Sequence, residues 1–140
     1  MKRNSIEEYL QELKDICPST LMESLGIEFI EASEEFLRAR MPIDKRTARP
    51  DGLLHGGANL ALAETLGGAF GYIALPKVER FNIFGIQVSA NHIKQAKGNY
   101  VVGEARFAHS GKRTQVIEVK IYDEFNTLVS ICNVTNMIVS

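Results

Sequence analysis

Residues 52–76 read GLLHGGANLALAETLGGAFGYIALP, and this stretch decides the fold. Over residues 58–75 the apolar residues fall on every side of a helix, which predicts a long central helix that is buried all round. Glycine costs about 1 kcal/mol relative to alanine in a helix interior, so Gly67, Gly68 and Gly71 require compensation from a closely packed backbone or ligand. We therefore expect one curved antiparallel sheet wrapped around one helix.

The N-terminal residues predict helix. Ser5 and Glu8 form a capping box at the start of residues 5–16, where apolar side chains recur at helical spacing. The predicted apolar face consists of Ile6, Tyr9, Leu10, Leu13 and Ile16. A short turn of helix is expected at residues 19–25, and Gly26 is a natural C-terminal stop for it.

Six segments predict strands. Residues 26–32 and 34–42 alternate apolar and charged side chains, which is typical of a hairpin. After the central helix, short turn-rich connections separate four further segments, which predicts an antiparallel meander. These segments are residues 83–94, 100–109, 114–122 and 127–139. In the first of them one face carries Phe84, Ile86, Val88 and Ala90. In the last, the alternate apolar positions are Val129, Ile131, Thr135, Met137 and Val139.

Length and composition limit the class of protein. With 140 residues, 45% of them apolar and 24% charged, we expect one domain over residues 1–140, in which residues 1–25 form an N-terminal helical segment. A net charge of −1 without a polybasic run gives no case for a nucleic acid or an anionic membrane as partner. Cys17 and Cys132 match no metal or redox spacing, so we expect two reduced core thiols and no metal site. The N-terminus lacks an apolar signal core and the least charged run contains Glu64, so a soluble cytoplasmic protein without a membrane span is the expectation.

Glu64 is the only formal charge in residues 52–76. The residues one helical turn away offer no partner for a carboxylate; they are Leu60, Ala61, Gly67 and Gly68. An isolated buried charge costs several kcal/mol unless it is paired or neutralised. We therefore favour a functional carboxylate, because such groups cluster at sites. The alternative is that Glu64 reaches a basic residue elsewhere or a subunit boundary.

His55, Gly56 and Gly57 stand where the central helix begins. Free backbone N–H groups at a helix start can bind an anion or a developing oxyanion, and glycine lets a substrate approach the backbone. The alternative is a glycine turn whose histidine bonds to a nearby carbonyl. The lone carboxylate in the same helix favours the functional interpretation.

Three motifs together resemble hotdog-fold acyl-CoA thioesterases, in particular the group of the phenylacetate-pathway and 1,4-dihydroxy-2-naphthoyl-CoA thioesterases. The motifs are RPDGLLHGGANLALAETLGG at residues 49–68, NHIKQA at residues 91–96 and HSGKRTQV at residues 109–116. The resemblance covers residues 25–139. It implies an α+β hotdog fold, in which a curved antiparallel sheet of five to six strands surrounds one long helix.

The resemblance also implies roles for individual residues. Glu64 matches the catalytic carboxylate, which is a nucleophile or a general base for water. Gly56 matches the glycine whose N–H polarises the thioester carbonyl, and His55 matches the histidine that positions it. Tunnel-lining or coenzyme A contacts fall on Asn91, His92, Gly111, Lys112 and Arg113.

The family further implies a homodimer as the minimum active unit, with each active site shared between two protomers, and a tetramer built from such dimers. No cofactor is expected, because coenzyme A is part of the substrate. The basic residues near turns, Lys94, Lys97, Lys112 and Arg113, are candidates to bind its phosphates. A solvated rim explains Lys97 equally well, whereas Lys112 and Arg113 are favoured because they lie together in a glycine turn. Tyr72 borders the acyl pocket or belongs to the core.

Two positions depart from the family pattern. Arg49 stands where a glutamine often orients the water or carbonyl, and its fixed charge would change the electrostatics near Glu64. Gly68 stands where a serine or threonine often follows the acid by four residues, which leaves a roomier pocket. Both departures weaken any transfer of substrate identity from the family.

Three alternatives to hydrolysis remain open from the sequence. A non-catalytic acyl-CoA binding or sensing module would keep the basic turns but would not need Glu64. A hotdog dehydratase would need a histidine, such as His55 or His92, paired with an acid across the pocket. A purely structural dimer would leave both the His-Gly-Gly motif and the lone carboxylate unexplained.

Overall fold

The structure, a computed structural model, describes residues 5–75 and 82–139. The helices are α1 (Ile6–Asp15), α2 (Leu21–Leu25) and α3 (Gly56–Gly71), and α3 continues into a 3₁₀ turn at Tyr72–Ala74. The strands are β1 (Glu28–Ala32), β2 (Leu37–Pro42), β3 (Asn82–His92), β4 (Tyr100–Ser110), β5 (Thr114–Asp123) and β6 (Leu128–Val139). They form one antiparallel sheet in the order β1-β2-β4-β5-β6-β3, and α3 packs against the strands β2 to β6. The expected six-stranded sheet around one helix is therefore confirmed.

The predicted meander of four strands is wrong for β3. This strand pairs with β6, whereas β4 pairs with β2 and β5. The connection after β3 is not a hairpin, because its backbone crosses the ends of two other strands. The N–H groups of Ile93 and Lys94 donate to Val129 O in β6, and that of Lys97 donates to Asp123 Oδ2 at the end of β5. The chain thus reaches the position beside β5 only after passing β6.

The predicted common face of β3 is also wrong. A β-bulge at Ile86 shifts the register, because Gly85 pairs with Asn136 and Gln87 with Thr135. An extra residue reverses the alternation of side chains. Phe84 therefore lies on the outer face and is 55% exposed, while Val88 and Ala90 pack on the core.

From Ser130 onward, strand β6 presents the opposite face from the one its apolar residues predict, although Val129, the first of those residues, is buried with 1% exposure. The core-facing positions are Ser130, Cys132, Val134 and Asn136, all with 0% exposure. Met137 and Val139 are 43% and 41% exposed. Two of these buried residues, Ser130 and Asn136, are polar, so the pattern of apolar residues in the sequence did not indicate which face of β6 is buried. Their hydrogen bonds to neighbouring elements satisfy part of their polarity.

The N-terminal half follows the sequence closely. Ser5 Oγ accepts from the N–H of Glu8 at 3.0 Å, and Gly26 ends α2 in the left-handed conformation with φ 73°. The apolar face of α1 is buried at Tyr9 and Leu13 but ends there, because Ile16 caps the helix and is 58% exposed. The hairpin of β1 and β2 buries the alternate side chains that the sequence predicts; they are Phe29, Leu37, Ala39 and Met41.

Helix α3 is buried on one face only, which corrects the prediction that it is buried all round. Its glycines allow close packing: a Cβ on Gly67 would lie 2.7 Å from Val134 Cγ1, and one on Gly71 would lie 2.5 Å from Gln115 Oε1. The buried amides also bond to the helix backbone, since Gln115 Nε2 donates to Gly71 O and Asn136 Nδ2 to Gly67 O, both at 3.0 Å. Close contact with the sheet thus compensates for two of the three glycines.

Both cysteines are free thiols, as expected, and Cys132 is buried. Burial raises the pKa of the Cys132 thiol to about 11. Within the described ranges, the helices are too short or too polar to cross a membrane.

Candidate active site

The start of α3 is fixed by backbone pairing and by a histidine cap. The His55 N–H donates to Thr47 O at 2.8 Å, and the imidazole Nδ1 of His55 accepts from the N–H of Gly57 at 2.8 Å. The cap removes the Gly57 N–H from the set of free donors. Gly56, which is the first residue of α3, keeps an N–H for which the preceding turn offers no helical acceptor. The Gly56 N–H is therefore the free donor at the helix start, at the position where the sequence predicts an oxyanion site.

His92 lies directly against this helix start. It is the last residue of β3, and a Cβ on Gly56 would lie only 2.8 Å from its Nε2. The other ring nitrogen, Nδ1, lies 2.8 Å from Ser130 Oγ. Only glycine at position 56 leaves room for the imidazole, so the structure brings His55, Gly56 and His92 together.

Glu64 lies on the exposed side of α3, against a different part of β3. A Cβ on Gly85 would lie 2.9 Å from Glu64 Oε1, so the glycine leaves the space that the carboxylate occupies. In the single chain Glu64 is exposed, which corrects the prediction of a buried charge. It makes no ion pair with a residue of the described ranges. The space expected above it is present, because a Cβ on Gly68 would have no described atom within 4 Å apart from its chain neighbours and the backbone of α3 itself.

A cavity of about 290 Å³ opens beside His92. Its lining includes Arg49 and Lys94, which the sequence assigned to substrate binding; the other lining residues are Leu53, Ile93 and Gln95. Arg49 pairs with Asp51 at 2.7 Å, and both side chains are about half exposed. Two expected cationic residues thus share one cavity with His92. Asn91, the neighbour of His92 in β3, is exposed.

The remaining predicted residues lie elsewhere. The turn of Gly111, Lys112 and Arg113 joins β4 to β5, near Met137 at the far end of β6. Ser130, the partner of His92, is separated from Met137 by a length of strand of roughly 23 Å. Tyr72 follows α3 and is 38% exposed. Within one chain, therefore, this turn lies at the opposite end of the sheet from His55 and His92.

Three residues of the site escaped the sequence reasoning. Gly85 had a signal, because a glycine inside a strand pattern suggests a bulge or a close approach. Asn59 and Ser130 had none, because they are 71 positions apart in the chain; Asn59 bonds to Ser130, and Ser130 in turn bonds to His92. No group of three potential metal ligands occurs within the described residues.

The order of the strands and the single helix that they enclose define the hotdog fold, and α3 carries the Gly56 N–H at its start and the Glu64 carboxylate near its middle. The model of the thioesterase superfamily matches residues 51–130, which contain the start of α3, Glu64 and His92. The chain belongs to this superfamily and is a thioester hydrolase.

Relatives and solved structures agree with this assignment. The proofreading thioesterase EntH of Cronobacter turicensis is 41% identical over 115 residues, which cover 82% of each chain. The 1,4-dihydroxy-2-naphthoyl-CoA hydrolase of Escherichia coli is 34% identical over 129 residues, or 92% of this chain and 93% of that protein. The crystal structure of a thioesterase from Haemophilus influenzae has a TM-score of 0.89 at 32% identity, and the match covers 94% of this chain and 90% of that one.

Proposed function

We propose that this protein hydrolyses an acyl- or aroyl-coenzyme A thioester to the free acid and coenzyme A. Glu64 is the catalytic carboxylate, and the Gly56 N–H stabilises the oxyanion. The observation that carries this proposal is the pairing, on one helix, of a donor site at Gly56 with a lone carboxylate at Glu64. The name of the Escherichia coli relative refers to an aromatic coenzyme A thioester, which supports this class of substrate.

The chemistry follows from the two groups. As a general base, Glu64 takes a proton from water while the water oxygen bonds to the thioester carbon, and the carbonyl oxygen becomes an oxyanion. The oxyanion then collapses, the carbon–sulfur bond breaks, and the proton on Glu64 passes to the departing thiolate. As a nucleophile, Glu64 would bond to the carbon itself, expel the thiolate, and be released by water. One well-placed N–H donor contributes roughly 3 kcal/mol to such a transition state.

The geometry of the single chain favours a site shared by two protomers. Glu64 and Gly56 are eight positions apart on α3, or roughly 12 Å along its axis, which is too far for one carbonyl to contact both. Strand β3 lies at the edge of the sheet, and it carries Phe84 and Ile86 with 55% and 54% exposure. An edge strand with exposed apolar residues is suited to pair with a second copy. We infer that each Glu64 faces the Gly56 of a partner protomer, and that dimers associate further into tetramers.

Coenzyme A would then extend toward basic side chains of both protomers. Lys112 and Arg113 are exposed and make no ion pair within the described ranges, so both are available to its phosphates. Arg49 and Lys94 line the cavity next to His92 and would contact the part of the substrate nearest the thioester. Asn91 and Tyr72, both exposed, would border the acyl group.

The test of hydrolysis is a panel of aliphatic and aromatic coenzyme A thioesters, assayed with the wild type and with Glu64→Gln. The substitution keeps the shape of the side chain but removes the base, so we expect kcat to fall by at least about 100-fold on the best substrate. The melting temperature should be unchanged, because Glu64 is exposed in the chain. Turnover that survives Glu64→Gln would refute the role of Glu64, and binding without turnover across the panel would contradict hydrolysis.

The shared site is tested by complementation between two inactive chains. Glu64→Gln lacks the base, and Gly56→Ala places a methyl group 2.8 Å from His92 Nε2 and spoils the donor site. Coexpressed with different tags and purified through both, the mixed dimer contains one intact site, so about half of the wild-type activity should return. A chain that carries both substitutions, paired with an unsubstituted chain, is the control, since it leaves no intact site. An inactive mixed dimer would show that each chain holds its own complete site.

A further inference from the structure

A chain of polar side chains runs through the core from α3 to His92. Asn59 Nδ2 in α3 donates to Ser130 Oγ in β6 at 3.2 Å, and Ser130 Oγ lies 2.8 Å from His92 Nδ1. Asn59 is 5% exposed and Ser130 is 0% exposed. Neither residue reaches the cavity beside His92, so both act on the site only through the imidazole.

The orientation of the Asn59 amide follows from its surroundings. Its Oδ1 is buried and has no hydrogen-bond partner among the described residues. If the amide were reversed, its two N–H donors would take that position instead and would have no acceptor. Orphaned N–H groups are rarer in proteins than under-satisfied carbonyl oxygens. The amide therefore donates to Ser130 through Nδ2.

The serine hydroxyl then determines which nitrogen of His92 carries the proton. A hydroxyl has one hydrogen and can accept two hydrogen bonds. Because Asn59 already donates to Ser130 Oγ, the hydroxyl hydrogen has a single acceptor within the described ranges, which is His92 Nδ1. A proton on Nδ1 would leave the O–H of a fully buried serine without an acceptor, and this is unfavourable. The neutral imidazole therefore carries its proton on Nε2, the nitrogen that lies against Gly56.

We propose that Asn59 and Ser130 are positioning residues that hold His92 with its proton on Nε2, so that His92 supplies a second hydrogen-bond donor beside the Gly56 N–H. This inference rests on the proposed function, because the oxygen that both donors would meet is the thioester carbonyl. It assigns His92 to the oxyanion rather than to the wall of the acyl tunnel. The direction of the hydrogen bonds from Asn59 through Ser130 in the core thus determines whether His92 Nε2 can donate a hydrogen bond at the surface.

The first test is the tautomer, measured by two-bond ¹H–¹⁵N NMR correlation on the full-length protein with ¹⁵N-labelled histidine. Substitution of each of the three histidines assigns the signals. In the wild type, His92 should show a protonated Nε2 and a hydrogen-bonded Nδ1. In Ser130→Ala the Nδ1 signal should move to the position of a nitrogen without a hydrogen bond. A protonated Nδ1 in the wild type, or an unmoved Nδ1 signal in Ser130→Ala, would overturn the proposal.

The second test reverses the direction of the hydrogen bonds. Asn59→Asp keeps the shape of the side chain, but an ionised carboxylate only accepts. Ser130 must then donate to that carboxylate and accept from His92 Nδ1, so the proton should move from Nε2 to Nδ1 and kcat should fall. An Nε2 proton that remains in this variant would count against the proposal. If Asn59→Asp does not fold, the Ser130 variants still decide the question.

Kinetics separates positioning from general stability. Ser130→Ala should lower kcat about 10-fold or more with KM changed by less than about 3-fold, because an oxyanion donor acts in the transition state. Ser130→Thr keeps the hydroxyl and should restore both kcat and the Nδ1 signal. Cys132→Ala, at the next core-facing position of β6, is the matched control and should change neither. Equal losses of kcat in Ser130→Ala and Cys132→Ala would indicate a structural role only and reject the proposal.

The tautomer of His92 is measured without substrate, so the proposed hydrolysis and the proposed positioning of His92 can be refuted independently of each other. A protonated Nε2 with no thioesterase activity in the panel would contradict the proposed substrate class but retain the hydrogen-bonded chain. A protonated Nδ1 with normal, Glu64-dependent turnover would reject only the positioning role.

Discussion

Gly85→Ala would show how closely the activity depends on the place that β3 leaves for the carboxylate of Glu64. A Cβ at this position would lie 2.9 Å from Glu64 Oε1, whereas ordinary contacts of a Cβ lie at 3.4–4 Å. The carboxylate must therefore move by about 0.5–1 Å. Because a misplacement of about 1 Å can cost roughly 100-fold in rate, we expect kcat/KM to fall by about 10- to 100-fold.

The same substitution should leave the fold intact. The atom that the new methyl group meets is the end of a flexible, exposed side chain, and Gly85 does not have a positive φ. Replacing glycine with alanine at a compatible position stabilises a protein by about 0.4–1 kcal/mol through the unfolded chain. We therefore expect the melting temperature to stay within about 4 °C of the wild type.

Gly103→Ala in β4 is the matched control, because its methyl group would lie 2.6 Å from Leu66 Cδ1 in the core. Overpacking of this kind costs about 1–3 kcal/mol, so this variant should lose stability while the folded fraction keeps its kcat/KM. Thermal denaturation and steady-state hydrolysis of the best thioester, measured on both variants, provide the comparison. Wild-type kcat/KM in Gly85→Ala would refute the idea that β3 positions the carboxylate.

Three further predictions concern the open space at Gly68, the charge of Arg49 and the buried thiol of Cys132. Gly68→Ser adds a side chain whose Cβ would meet no described atom within 4 Å outside its own stretch of α3, so the melting temperature should stay within about 4 °C and kcat/KM should be equal or higher; a 10-fold loss would show that the space is needed by substrate. Arg49→Gln removes an exposed ion pair worth at most about 1 kcal/mol, so stability should hold and turnover should be preserved or raised; a collapse of turnover would make the guanidinium part of the mechanism. At pH 8 a thiol with a pKa of about 11 is roughly one part in a thousand thiolate, so Ellman's reagent should label Cys17 in the native protein and Cys132 only after denaturation; rapid labelling of both would contradict the burial of Cys132.

The sequence predicted a strand well where apolar and polar residues alternate regularly and the apolar face of that strand is fully buried. In β5, Ile117, Val119 and Ile121 alternate with charged residues, and all three have 0% exposure. Strand β3 was different, because one extra residue at Ile86 reversed its alternation and apolar character alone gave no sign of it. In β6 the inward positions include Ser130, whose polarity argues against burial until its bonding partners are known.

The local parts of the site were predictable, whereas the contacts between distant segments were not. His55, Gly56 and Glu64 lie within one short stretch, so helix geometry alone related them to each other. The contact of His92 with Gly56 needs the strand order, which the meander prediction had wrong. Hydrogen bonds such as that of Asn59 to Ser130 join residues that nothing in a single sequence pairs.

Glu64 is exposed on the side of α3 that the sequence wrongly predicted to be buried, and this same side carries the proposed active site. The sequence predicted burial on every side, yet the structure leaves one side of α3 uncovered next to the sheet edge formed by β3. The apolar residues on that side, such as Leu60, are ordinarily placed where water is excluded. The bulge that exposes Ile86 at this edge lies next to the glycine that makes room for Glu64. A second copy paired along β3, as proposed above, would cover the apolar residues and dehydrate the carboxylate together, and this would account for the apolar composition of α3.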